Sequence, residues 1–179
     1  MRFPGDSTWK VSSGSADTFA LYVRDALGVS TPTADAIPAL YPPVERLHDV
    51  YVPETFGWGW DRWWTESLIT GGGGRPPVGV PEHLREAYQQ WRPDTTAPEQ
   101  SWFRDKASAH LFDLIQEIVG QLTTELGREP VFTFTLVEIP VRGQFWRRVD
   151  TTIALVSDEL KASRNLIAPL ESVLRELAR

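Results

Sequence analysis

His110, Asp113 and Glu117 fall at i, i+3 and i+7, so on a helix they share roughly one face. A zinc or non-haem iron centre needs three such ligands converging on one point. Nothing in this spacing demands convergence, and neither HExxH nor its inverse occurs in the chain. Of the other histidines, His48 beside Asp49 lies in the proline-rich stretch and His83 beside Glu82 opens a helix. Surface charge beside a half-buried histidine is the plainer account, and no metal is expected. The chain has no cysteine, which removes thiol catalysis, disulfides and Cys-ligated metal centres. A serine nucleophile needs the sharp Gly-x-Ser-x-Gly elbow after a strand, and no such string occurs. Asp150 lies in a strand-like stretch and could act as a base, but the sequence names no partner for it. Gly71–Gly74 has the composition of a phosphate loop. Arg75-Pro76-Pro77 follows it, however, where Lys-Ser/Thr should open a helix, and proline has no N–H to offer an anion. No cofactor is expected.

The tryptophans are more informative. Trp58, Trp60, Trp63 and Trp64 place four of the chain's eight within seven residues, with Arg62 among them. Each ring can bury about 150–250 Å², and Trp and Arg are the residues enriched at interface hot spots. The rings cannot all face one way, so at least one is expected to anchor the core and at least one to reach the surface. A purely structural plug is the competing account. Trp58, Trp60, Arg62, Trp63 and Trp64 are therefore the candidate binding residues. A second aromatic-basic group, Arg142, Phe145, Trp146, Arg147 and Arg148, surrounds a turn. It could hold an acidic partner or a nucleic-acid strand. A solvated hairpin guarded by charge explains it as well. The formal net charge of −6 argues against nucleic acid.

These residues need elements to hold them. The chain has 179 residues, 41% of them apolar and 23% charged, enough for one domain over 1–179 with a real core. Phe19, Tyr22, Val23, Ala26 and Leu27 read as a helix face, with Ser15 a suitable N-cap and Gly28 in the C′ place. Residues 30–80, rich in Pro, Trp and Gly, read as an irregular segment, with Gly71–Gly74 its mobile loop lying near a groove beside Arg62. Pro81 opens a helix with Leu84, Ala87, Tyr88 and Trp91 on one face. The longest periodic stretch, about 99–126, carries Leu111, Leu114, Ile115, Ile118 and Leu122 and is expected to be the central core helix. Val131–Ile139 and Gln144–Val156 read as the arms of one long antiparallel hairpin about the turn at 140–143. A last helix bears Leu166, Leu170, Val173, Leu174 and Leu177, with Pro169 kinking or restarting it. Strands cluster rather than alternate with helices. The expected class is α+β: an antiparallel hairpin or small sheet packed against several helices.

The N-terminal ten residues lack an apolar core and a cleavage site, and no run nears the roughly 18 apolar residues of a spanning helix. A cytoplasmic location is expected. Of 18 basic residues three are lysine and the other fifteen arginine, the bias of a GC-rich bacterial genome. Together these observations favour a non-enzymatic binding protein, an immunity-type inhibitor or regulatory adaptor, that meets a protein partner through the Trp-rich segment. The alternatives are an enzyme using His110, Asp113 and Glu117 or Asp150 above a tryptophan floor, and a module binding a small molecule or sugar with the same rings.

Overall fold

The computed structural model describes residues 8–71, 74–92 and 98–179, leaving aside the side chains of 98–105. Among them are seven α-helices and a four-stranded mixed sheet, an α+β arrangement. Contacts divide the chain into two compact units. The first takes residues 1–14, 94–138 and 143–179, and the second residues 15–93 and 139–142.

The first unit holds most of the sheet, built from β1 (Trp9–Ser15), β2 (Phe132–Ile139), β3 (Trp146–Arg148) and β4 (Ile153–Ser157) in the order β1-β2-β4-β3. The hairpin is not the single long one expected over 131–156. It is β3 with β4, paired antiparallel with Trp146 opposite Val156 and Arg148 opposite Ala154. The reversal comes at Asp150, whose carboxylate accepts the N–H groups of Thr152 and Ile153 at 2.6 and 2.9 Å. That Asx-type turn breaks the second arm in two, and β4 inserts between β2 and β3. Asp150 is thus a turn former.

One face of the sheet meets the helix α5 (Pro98–Leu126). Leu111, Leu114, Ile115, Ile118 and Leu122 form one core with Val11, Phe134, Leu136 and Val156. Leu166, Leu170, Val173 and Leu174 from the C-terminal helical region complete it. Ser157 caps the short helix that follows β4 by accepting the Leu160 N–H. Inside this unit Glu138 on β2 accepts from Ser13 on β1 at 2.5 Å and from Lys161 at 2.6 Å. Lys161 is only 3% exposed, and that carboxylate is its ion-pair partner.

The second unit is helical: α1 (Thr18–Leu27), α2 (Pro32–Asp35), α3 (Glu54–Thr70) and α4 (His83–Trp91). Asp17, not Ser15, caps α1, its carboxylate accepting the Phe19 N–H at 3.1 Å, while β1 runs on to Ser15. Gly28 ends α1 in the left-handed region at φ 64°, as its position suggests. Arg24, buried on α1, donates to the carbonyls of Ala34, Ile37 and Pro38 at 2.8–3.1 Å. One guanidinium thus gathers three carbonyls from the end of α2 and the segment after it.

The main correction concerns 30–80. The stretch is not irregular throughout, because the tryptophans lie on α3, 17 residues of regular helix. Pro53 sets the chain at its start, Glu54 sits in the positive first turn, and Gly71 closes it at φ 70° with its N–H on the Ser67 carbonyl. Phe56, Trp60, Trp63, Trp64 and Leu68 recur at i, i+4, i+7, i+8 and i+12 and are all buried. That stripe outweighs the two interior glycines, each of which costs a helix about 1 kcal/mol.

Candidate functional site

Helix geometry sorts the tryptophans. Trp60, Trp63 and Trp64 face inward and are no more than 1% exposed. Trp60 Nε1 donates to the Ala20 carbonyl of α1 at 2.7 Å, and its ring stacks on Trp64 with centroids 6.0 Å apart. Trp63 meets Phe19 edge-on at 5.6 Å. These three rings are the core of the second unit and leave the surface set. Trp58 points the other way and is 76% exposed. Arg62, one turn on, is 81% exposed and pairs with Glu66 at 2.8 Å. Of the five candidate binding residues, Trp58 and Arg62 reach the surface together. The split expected of the rings is present, and a regular helix makes it.

The same face carries Thr65 and Ile69, at i+7 and i+11 from Trp58. Both are exposed, Ile69 at 69%. Neither stands out in the sequence, because their signal, a 3.6-residue period counted from Trp58, exists only once the segment is known to be helical. Trp58, Arg62, Thr65 and Ile69 form a ridge about 16 Å long at 1.5 Å per residue.

Two glycines border this ridge, about 100° to either side of Trp58. A Cβ built at Gly57 would stand 2.9 Å from Thr31 Cγ2, and one at Gly59 would stand 2.8 Å from Pro77 Cβ. Each glycine admits a passing segment that a side chain would push away. On the first flank Thr31 Oγ1 donates to Asp61 at 2.7 Å while accepting the Ala34 N–H at the start of α2. On the second flank the chain returns along α3. A Cβ at Gly74 would lie 2.6 Å from the Trp63 carbonyl oxygen and 2.7 Å from its Cδ1, and the Arg75 N–H reaches Glu66. Gly72 and Gly73 lie outside the described residues, and with them the expected mobile loop; Gly74 packs beside Trp63 rather than beside Arg62. After Pro77 comes Val78, fully exposed. Trp58 is therefore a bare ring on a helix held from both sides.

The electrostatics of the ridge are those of a wet surface. The Arg62 hydrogen bond holds the Glu66 carboxyl below its usual range, helped by Arg62's charge and the Arg75 N–H, and Glu66 in turn raises Arg62. Such an exposed pair adds little stability. Asp17 has the opposite character: burial pushes its carboxyl up, against the Phe19 N–H and the Arg85 charge.

The other candidates do not assemble. Among the described residues no group of three or more His, Asp or Glu is placed to hold a metal ion. His110 is half-buried, while Asp113 and Glu117 are exposed on α5. Arg148 is committed to Glu176 and to the carbonyls of Asp150 and Thr151. Arg142 lies over the Tyr41 ring at 4.4 Å. No described helix is long and apolar enough to cross a membrane. No family model matches this chain, and neither the curated proteins nor the solved structures supply a match to it.

Proposed function

We propose that this chain is a non-enzymatic cytoplasmic binding protein, an inhibitor or adaptor, that meets a protein partner through the exposed ridge of α3. One observation carries the reading: Trp58, the largest apolar side chain available, is 76% exposed on a regular helix whose flanks are pinned. A large exposed ring leaves apolar area in water that a partner gains by covering. Pinning lowers the ordering cost of binding, since backbone and ridge are already in place. Trp58, Arg62, Thr65 and Ile69 follow the i, i+4, i+7, i+11 spacing of a helix that seats in a groove. Arg62, held by Glu66, offers a charge at the rim. Trp60, Trp63 and Trp64 act as the foundation of the surface. The net charge of −6 weighs against a nucleic-acid strand as partner.

A photoreactive residue in place of Thr65 tests this in cells. It should yield a discrete adduct with one protein, and the same residue at exposed Glu117 on α5 should not. Matching adduct patterns from both positions would contradict the proposal.

A further inference from the structure

We draw no further inference here: the strongest candidate outside α3, the buried Ser13–Glu138–Lys161 cluster of the first unit, is accounted for by the strands and helix that it ties together, and the exposed ridge of α3 belongs to the site already described, with nothing in the structure to show what covers it.

Discussion

Replacing Trp60 by alanine, with Trp58→Ala as its counterpart, tests the orientation of α3 on which the surface depends. Trp60 is completely buried, stacks on Trp64 and donates to the Ala20 carbonyl of α1. Removing a buried tryptophan costs about 3–5 kcal/mol through lost transfer energy and the cavity left behind. The hydrogen bond adds about 1 kcal/mol. The ring contact overlaps with these two, so the expected loss is about 4–6 kcal/mol. For Trp58 the ring is mostly in water, and alanine is the better helix former, so stability should move by no more than about 0.5 kcal/mol. Urea denaturation followed by far-UV circular dichroism reads both. With a slope of about 2–3 kcal/mol/M for a chain of this size, the Trp60 variant should unfold roughly 1.3–3 M earlier and the Trp58 variant at the wild-type midpoint. Amide exchange in α1 and α3 gives the local readout if the two units open separately. A loss under about 1 kcal/mol for Trp60→Ala, or over about 2 for Trp58→Ala, would refute the assignment of faces.

Four further outcomes follow from local geometry. Gly59→Ala should destabilise by up to about 2 kcal/mol in a denaturant melt, because the overlap with Pro77 costs about 1–3 and helix propensity returns about 1. Gly120→Ala, at an exposed position on α5 with no atom near the new methyl, should instead stabilise by about 0.5–1 kcal/mol. Lys161→Met strands the Glu138 charge and should cost about 3–5 kcal/mol, whereas pairing it with Glu138→Leu should recover much of that loss in a double-mutant cycle. The folded pKa of Asp17 is raised by burial, so its contribution is fully present below the ordinary value of 3.8 and is lost as pH rises through the higher folded value. Asp17→Asn keeps the cap and removes the charge, so thermal melts should match wild type in acid and favour the variant towards neutrality; parallel curves across pH would contradict this.

How far the sequence reaches can be judged element by element. The α5 stripe from Leu111 to Leu122 was readable because its period is unbroken and its burial follows the period. The class followed from clustered strands. The partner of β2 was not readable, because one Asx turn at Asp150 decides it and a lone aspartate in a polar stretch is a weak signal. Likewise Asp17 and Ser15 are both good caps, and only the extent of β1 chooses between them. The segment 54–70 misled because glycine and proline density outweighed its apolar period. Gly57 and Gly59 are there to admit Thr31 and Pro77, contacts 26 and 18 residues distant in the chain that local pattern does not report. The site was half legible for the same reason. The tryptophans could be named, but Trp58 separates from the other three, and gains Thr65 and Ile69 as neighbours, only through the register of a helix.

The most direct test of the binding proposal is the affinity of wild type and Trp58→Ala for the protein that crosslinks at position 65, measured by titration calorimetry. About three quarters of a ring of roughly 150–250 Å² is exposed. At 25 cal/mol/Å² its burial is worth at most about 3–5 kcal/mol, before the cost of association. A hot-spot loss of about 2 kcal/mol or more is expected, so Kd should rise roughly 30-fold or more with the fold unchanged. An affinity within about twofold of wild type, for a variant that melts like wild type, would contradict the proposal that this chain recognises its partner through α3.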